Sequence, residues 1–151
     1  MALDTPSSQF GALCEQAGIA PTHQRLVIWQ ALKEMRNHPS PEEVFARVRP
    51  QLPTVSLATV YNSINLFLET GVFRQVNAHH RKLRIETNAT PHPHLVCRQC
   101  RTISDLDAGL FDNLPAPRDL PDGFVAEHVA VDVIGLCSSC REGSSFRESP
   151  A

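Results

Sequence analysis

Residues 56–87 read SLATVYNSINLFLETGVFRQVNAHHRKLRIET, and a change of hydrophobic period within this stretch decides the first half of the fold. Up to Gly71 the apolar residues recur every three to four positions, as on one face of a helix that Ser56 can cap. Beyond Gly71, apolar and polar residues alternate in VFRQVNA and RKLRIET, which His79-His80 connects. A helix followed by two alternating segments predicts a recognition helix and a β-hairpin, as in a winged helix-turn-helix.

Three further helices are predicted upstream of this stretch. Residues 8–17 show helical spacing of apolar side chains, and Gly18 ends the segment. Thr22 is a candidate N-cap of the second helix. Ser40-Pro41-Glu42-Glu43 predicts the start of the third helix through a capping box. Together these elements predict a winged-helix DNA-binding domain over residues 1–88, although a helical bundle with an appended hairpin and no DNA partner fits the same pattern.

The composition is that of an ordinary water-soluble globular protein. The chain has 151 residues with a formal net charge of −2, 42% hydrophobic residues and 20% charged residues. No apolar run approaches the roughly 18 residues that a membrane span requires. The segment MALDTPSSQF lacks the basic and apolar regions of a secretory signal, so a cytoplasmic location is expected. In a reducing compartment, regularly spaced cysteines are better suited to metal binding than to disulfides.

Charge is distributed unevenly between the two halves of the chain. Residues 1–90 hold nine Lys/Arg against seven Asp/Glu, whereas residues 91–151 hold five against nine. This small asymmetry indicates that the first half suits a polyanion and that the second suits cations.

The second half predicts a small α/β domain after a hinge. NATPHP at 88–93 is polar and contains two prolines, which is typical of a linker, and the hinge is placed at 89–93. The predicted elements are strands at 94–97 and 102–106, a weak helix near 107–114, a Pro-rich turn at 115–123 and a strand over 124–137. The domain is expected to span 94–142, followed by a disordered tail at 143–151.

Two CxxC pairs, Cys97/Cys100 and Cys137/Cys140, are separated by 36 residues. Each pair can form a tight knuckle, and two knuckles complete the tetrahedron of a structural zinc ion, one per chain. A domain of only about 60 residues gains stability from such an ion. The alternative is a redox-active CxxC, which usually occurs singly in a thioredoxin-like fold. Because four thiolates leave no open position, this zinc is not expected to be catalytic, and the chain is not expected to be an enzyme. The fifth cysteine, Cys14, is expected to be a small buried side chain.

Other side chains that can bind a metal occur along the chain, and among them the His92-x-His94 pair beside the first knuckle is the most telling. His92 and His94 alternate just before this knuckle, Asp105 follows it, Glu86 lies near the end of the hairpin, and His38 precedes the third helix. Imidazoles combined with carboxylates suit Fe(II), Mn(II) or Zn(II), and oxygen ligands favour the harder ions. Ordinary alternatives remain open at this point, because His38 could cap a helix and Glu86 could be a solvated strand residue.

Taken together, these stretches resemble the ferric uptake regulator family from about residue 10 to residue 142. The segments that carry the resemblance are Thr22-x-Gln24-Arg25, His38-Pro39-Ser40, Ser56-x-Ala58-Thr59-Val60-Tyr61-Asn62, His92-x-His94-x-x-Cys97-x-x-Cys100 and Cys137-x-x-Cys140. The resemblance implies an α+β protein in which a winged helix-turn-helix domain precedes a small α/β dimerisation domain. It also implies a homodimer that binds palindromic operator DNA, with a sensory metal site bridging the two domains.

The resemblance assigns a regulatory Fe(II) or Mn(II) site to five residues. They are His38, Glu86, His92, His94 and Asp105. Asp105 and Asn62 resemble the peroxide-sensing branch, in which Fe(II) and hydrogen peroxide oxidise a ligand histidine, here His38 or His92, and so release the repressor from DNA. Glu86 stands where that branch usually has Asp. Pro91 and Pro93 flank His92 where many iron regulators need ligands for an additional site, so that site is expected to be missing.

Four alternatives to a peroxide-responsive repressor stay open. An iron-uptake repressor would use Fe(II) only as corepressor. A zinc- or manganese-uptake regulator is a further choice, but a zinc sensor usually has a sensory cysteine and Cys14 is badly placed for it. From other classes, the chain could be a zinc-binding protein-interaction module or a metal-dependent hydrolase. The hydrolase is poorly supported, because no nucleophile or general base lies beside an open metal position.

The candidate DNA contacts come mainly from the helix after Ser56. Tyr61 is expected to pack on a thymine methyl, with core packing as its alternative. Candidate partners of bases or phosphates are Ser56, Thr59 and Asn62. Candidate phosphate contacts are Arg25, Arg74 and Arg81.

Overall fold

The computed structural model describes residues 5–76, 82–88, 90–111, 120–126 and 129–143. The chain divides into two compact units, Met1–Ala89 and Thr90–Ala151. Among the described residues, no helix is long and apolar enough to cross a membrane. The assignment of a DNA-binding domain to 1–88, a hinge to 89–93, a dimerisation domain to 94–142 and a disordered tail to 143–151 stays a prediction.

The first unit contains four helices, α1 (Pro6–Ala17), α2 (His23–Glu34), α3 (Pro41–Val48) and α4 (Leu57–Glu69). The three predicted N-caps are confirmed, since the side chains of Thr22, Ser40 and Ser56 each accept a hydrogen bond from the amide three residues on. The capping box is also confirmed, because the Glu43 carboxylate accepts the Ser40 amide at 2.7 Å. Gly18 ends α1 in the left-handed region at φ 66°, which glycine adopts without strain.

Apolar side chains from all four helices form the core of the first unit. Phe10 contacts Trp29 and Phe67 with ring centroids 5.5 and 6.4 Å apart, and Phe67 contacts Phe73 at 6.0 Å. Cys14 is 1% exposed, which confirms the prediction that it is buried. Each fully buried large apolar side chain contributes roughly 1.5–3 kcal/mol of transfer free energy. This core holds α4 against the rest of the unit.

The predicted hairpin is present, and its strands pair over two residues each in the part of the chain that the structure describes. Strands β1 (Arg74–Gln75) and β2 (Ile85–Glu86) pair antiparallel, with Arg74 opposite Glu86. The other edge of β2 is used as well, because the Ile85 amide donates to the Pro39 carbonyl at 3.0 Å. The predicted His79-His80 connection and Arg81 lie outside the described residues.

The second unit contains a three-stranded sheet formed by β3 (His94–Cys97), β4 (Ile103–Asp105) and β5 (Asp132–Gly135). The strand order is β4-β3-β5, with β3 antiparallel to β4 and parallel to β5. Single 3₁₀ turns occur at Ala108–Phe111 and Pro121–Gly123. A short helix that the sequence did not predict, α5 (Ser138–Gly143), follows the sheet.

The predicted strand over 124–137 is wrong in length. Only Asp132–Gly135 is a strand, whereas 124–126 and 129–131 have no regular structure, and 127–128 lie outside the described residues. Within the described residues β5 pairs with the four residues of β3, and the strand ends where this pairing ends. The predicted helix near 107–114 is a single 3₁₀ turn as far as Phe111. Residues 112–119, with most of the predicted Pro-rich turn, and the predicted tail from 144 lie outside the described residues.

Candidate metal centres and nucleic-acid interface

The four predicted zinc ligands lie together in the second unit. Cys97 ends β3, and Cys137 follows β5 by two residues. Parallel pairing places Cys97 opposite Gly135, so both knuckles form at the same end of the sheet. Cys100 lies in the turn after β3, and Cys140 lies in α5. The four Sγ atoms all lie within 4.8 Å of one another.

The sulfur geometry fits a tetrahedral zinc ion. The Sγ atoms of Cys100 and Cys137 are 3.6 Å apart. A tetrahedron with Zn–S bonds of about 2.3 Å has sulfurs about 3.8 Å apart. The Cys137 amide also donates to the Cys97 sulfur at 3.4 Å, and Cys100 Sγ lies 3.2 Å from Thr102 Oγ1. The cluster therefore suits structural zinc, which such a closed set of thiolates holds without an open position.

Hydrogen bonds around the cluster distribute negative charge unequally among the thiols. Backbone N–H groups, first that of Cys137 and then that of Cys100, lower the pKa of Cys97 to about 5. The Thr102 side chain and amide lower the pKa of Cys100. The pKa of Cys140 is raised to about 12, chiefly by its hydrogen bond to the Cys137 side chain and then by burial. Thiolates are the form that binds metal, and the lowered pKa values of Cys97 and Cys100 favour this form at those two ligands.

In the first unit, His38 and Glu86 form a buried imidazole–carboxylate pair. His38 Nδ1 lies 3.7 Å from Glu86 Oε2, and the side chains are 2% and 8% exposed. The burial of Glu86 excludes its alternative as a solvated strand residue. His38 does not cap α3, because Ser40 does so.

A strained loop held by the hairpin presents His38. Asn37 and His38 have φ of 81° and 51°, values that non-glycine residues seldom adopt. The Arg84 guanidinium donates to the His38 carbonyl at 3.4 Å and to the Glu43 carboxylate at 2.8 Å. Together with the bond from the Ile85 amide to the Pro39 carbonyl, these contacts fix a backbone that would otherwise relax.

In the second unit, the sheet brings histidines and carboxylates together. His94 on β3 stands opposite Asp105 on β4, so the two side chains share one face of the sheet. His92 precedes the strand, and its Nε2 lies 3.2 Å from Asp105 Oδ1. The rings of His92 and His94 are 4.6 Å apart between centroids.

The spacing of His92 and Asp105 matches that of neighbouring ligand atoms on a divalent ion, and the spacing of His38 and Glu86 is slightly wider. Bonds of about 2.1 Å place neighbouring ligand atoms roughly 3.0–3.4 Å apart, against 3.7 Å for the pair His38–Glu86 and 3.2 Å for the pair His92–Asp105. The donor set holds nitrogen and oxygen and no sulfur, which suits Fe(II) or Mn(II).

The sequence analysis missed Asp132, which lies beside His94 on the other neighbouring strand. Parallel pairing sets Asp132 opposite His94, with Oδ1 3.5 Å from His94 Nδ1. The side chains are 11% exposed for His94 and 10% for Asp132. A signal was available, because Asp132 is the single charged residue in the apolar run VAVDVIG at 129–135. A charged residue in such a run is seldom buried without a partner.

On α4, the predicted DNA contacts lie at the helix start. Ser56 and Asn62 are exposed, and Thr59 is half-buried. Tyr61 is also half-buried and is not part of the hydrophobic core, which argues against core packing as its role. Its hydroxyl donates to Glu42 Oε1 on α3 at 2.9 Å, and this bond raises the pKa of Tyr61.

The arginines predicted to contact DNA phosphates differ in their surroundings. The Arg25 guanidinium donates to the Ala20 carbonyl at 2.6 Å, so it anchors the turn before α2. Arg74 is exposed on β1. Neither position by itself identifies a phosphate contact.

Comparison with known proteins gives a consistent result. A family model described as the ferric uptake regulator family matches residues 16–133. The peroxide-responsive repressor PerR of Staphylococcus epidermidis is 27% identical over 131 residues, which cover 87% of this chain and 87% of that protein.

Two solved structures resemble the chain over most of its length. The ferric uptake regulator from Francisella tularensis with iron has a TM-score of 0.67 and 25% identity, covering 82% of this chain and 96% of the other. The ferric uptake regulator from Pseudomonas aeruginosa with manganese has a TM-score of 0.70 and 21% identity, covering 85% and 97%, and at that identity it shows the fold alone. The expected α+β fold with a four-cysteine zinc site is confirmed. The chain belongs to the ferric uptake regulator family, a family of metal-dependent regulators.

Proposed function

We propose that the protein is a homodimeric, Fe(II)- or Mn(II)-dependent repressor of palindromic operator DNA that hydrogen peroxide inactivates. The observation that carries the proposal is the pairing of two buried imidazoles with carboxylates, His38 with the buried Glu86 and His92 with the exposed Asp105. Burying such groups is costly in free energy unless they are paired or bind a metal. Their donor chemistry suits the metals named.

The regulatory ion would use His38, Glu86, His92, His94 and Asp105. The first two belong to the unit Met1–Ala89 and the other three to the unit Thr90–Ala151. An ion that takes donors from both units would restrict the linker between them. The bound state would then favour one arrangement of two winged helices, and DNA affinity would rise by the differential binding free energy of the ion.

The DNA-binding surface would be the exposed start of α4, placed in the major groove. Tyr61 would contact a base, with Ser56, Thr59 and Asn62 on bases or phosphates and Arg25 on the backbone. The bond from Tyr61 to Glu42 supports this assignment, because it holds the ring at the surface of the unit instead of in the core.

The second unit would provide the dimer interface. Its sheet exposes Leu95 at 42%, Val133 at 39% and Ile134 at 55%. In the described sheet β5 is an edge strand, whose unpaired amides and carbonyls can pair with another chain. Exposed apolar side chains on an open strand edge favour burial against a second copy.

The peroxide response would be the oxidation of one ligand histidine. In the net reaction, a ring C–H bond is replaced by a C–O bond, and hydrogen peroxide gives one oxygen to the ring and leaves as water. Bound iron would supply the redox chemistry for this step, and His38 and His92 are the residues that would hold it. The relative from Staphylococcus epidermidis carries the name of a peroxide-responsive repressor, which supports the proposal.

The test loads the purified protein with Fe(II), adds a low concentration of hydrogen peroxide and follows both operator binding and peptide masses. We expect a gain of one oxygen on His38 or His92 together with loss of DNA binding. His23 is the internal control, because it is exposed on α2 and should stay unmodified. A His94→Ala variant should keep its zinc but lose metal-dependent DNA binding.

Unmodified histidines with intact DNA binding would reject peroxide sensing and leave an iron-uptake repressor as the second candidate. A wild-type protein that binds no operator fragment with any of the three metals Fe(II), Mn(II) and Zn(II) would reject the repressor altogether. The zinc-binding interaction module would then be favoured.

A further inference from the structure

We propose that Asp132 is a positioning residue for His94, because its carboxylate accepts the Nδ1 proton and so presents Nε2 to the regulatory ion. The inference rests on the proposed function in one respect, namely that His94 is a ligand. The pairing of the two side chains is independent of that function.

The sheet register brings the two residues together. They are 38 positions apart in sequence, yet β3 and β5 pair in parallel with His94 directly opposite Asp132. Paired residues on adjacent strands place their side chains on the same face. His94 is thus flanked by a carboxylate on each side, Asp105 from β4 and Asp132 from β5.

The two carboxylates have different partners among the imidazoles. Asp105 Oδ1 lies 3.2 Å from His92 Nε2, and its side chain is 52% exposed. Asp132 Oδ1 lies 3.5 Å from His94 Nδ1, and its side chain is 10% exposed. The carboxylate of Asp105 is thus open to solvent, whereas that of Asp132 is buried beside the imidazole of His94.

Burial is the reason for assigning Asp132 a role. A buried carboxylate is costly unless it is hydrogen-bonded, and within the described part of the chain its Oδ1 makes no hydrogen bond. The Nδ1–Oδ1 distance of 3.5 Å exceeds the roughly 2.7–2.9 Å of a charge-assisted bond. Among the ion pairs of the described residues, the partner of this oxygen is His94.

This geometry separates Asp132 from the ion. Nδ1 and Nε2 lie on opposite sides of the imidazole ring, so a carboxylate at Nδ1 and an ion at Nε2 do not compete. Histidine ligands of metals usually donate their other ring N–H to a carboxylate, carbonyl or water, which fixes the tautomer and raises ligand basicity. Loss of such a partner typically lowers metal affinity about 10- to 100-fold.

The first measurement determines the tautomer of His94 in the zinc-containing protein without regulatory metal. Two-bond ¹H–¹⁵N NMR spectra, recorded where the imidazoles are neutral, distinguish Nδ1–H from Nε2–H. We expect Nδ1–H in the wild type and in Asp132→Asn, which keeps an acceptor, and loss of that preference in Asp132→Ala. An Nε2–H tautomer in the wild type would overturn the proposal.

The second measurement compares Mn(II) affinity by electron paramagnetic resonance of the free ion. Asp132→Ala is expected to weaken binding by about 10- to 100-fold, and Asp132→Asn by less. The matched controls are Asp107→Ala and Asp107→Asn, which remove one carboxylate of the same unit at an exposed site. Equal affinities of the Asp132 and Asp107 variants would refute the role of Asp132.

Zinc content and circular dichroism check that each variant folds. If Asp132→Ala loses its zinc, the isosteric Asp132→Asn decides, and an affinity equal to that of Asp107→Asn overturns the proposal. A wild-type protein that binds no Mn(II), Fe(II) or Co(II) would contradict the proposed function instead, while the tautomer result would still test the pairing.

Discussion

The two units are stabilised in different ways. In the first, Leu32, Val44 and Phe67 are completely buried in a core to which all four helices contribute. In the described part of the second, the buried apolar side chains are Val96, Cys97 and Ile103, together with Pro93. The difference indicates that the first unit relies on hydrophobic burial, and we expect the described part of the second to rely more on its zinc site.

Loss of zinc should therefore have the largest effect and should be confined to one unit. Cys97→Ser removes one of four ligands, and structural zinc contributes an apparent binding free energy of about 10–16 kcal/mol. We expect release of zinc, loss of the dimer and proteolysis of the second unit, with the helices of the first unit retained. Metal analysis, gel filtration and limited proteolysis measure these changes.

Cys14→Ala is the control for the zinc prediction, because it removes a cysteine that lies outside the cluster and should keep one zinc per chain. A dimeric Cys97→Ser protein with an intact second unit would show that apolar packing, not zinc, stabilises that unit.

Truncating a core side chain of the first unit should destabilise that unit and leave the zinc of the second unit in place. Phe67→Ala removes a ring with no exposed surface and should destabilise the first unit by about 3–5 kcal/mol. Denaturant unfolding followed by Trp29 fluorescence reports on this unit, and zinc content reports on the other. Phe124→Ala, at a ring that is 67% exposed in the second unit, is the control and should change little. Simultaneous loss of zinc in Phe67→Ala would mean that the units do not unfold separately.

A charge on the exposed sheet should have the smallest effect on folding. Val133→Glu places a carboxylate on the face of the sheet that Val133 shares with Leu95, and a central interface residue is worth about 2 kcal/mol or more. We expect a monomer that still holds zinc, as measured by sedimentation and metal analysis. Leu110→Glu changes an exposed leucine outside the sheet and should stay dimeric. If both variants are dimers, the exposed sheet is not the interface.

The helix boundaries and the zinc ligands were predictable because their signals are local. Thr22, Ser40 and Ser56 cap helices through amides only three residues away, so the neighbouring sequence is sufficient. The two CxxC pairs are also local motifs, and a single ion can join them over any separation that the fold allows. The resemblance to the family supplied the candidate ligands, but their roles stay predictions.

What depended on distant residues could not be predicted from the sequence. The strand at 124–137 was overestimated because it ends where its pairing with β3 ends, not where its own apolar pattern ends. The left-handed conformation of His38 depends on Arg84 and Ile85, which lie more than forty residues further along the chain.

The sequence by itself determined the four helices of the first unit, the hairpin and the cysteine cluster, because periodicity, caps and ligand spacing act within a few residues. Only the tertiary structure decided which carboxylate faces which imidazole. The register of a parallel strand pair places Asp132 beside His94, and that register follows from how the whole sheet assembles. The single charge in the run 129–135 indicates that Asp132 needs a partner, but local sequence does not say which one, since each strand is compatible with several registers until its partners are in place.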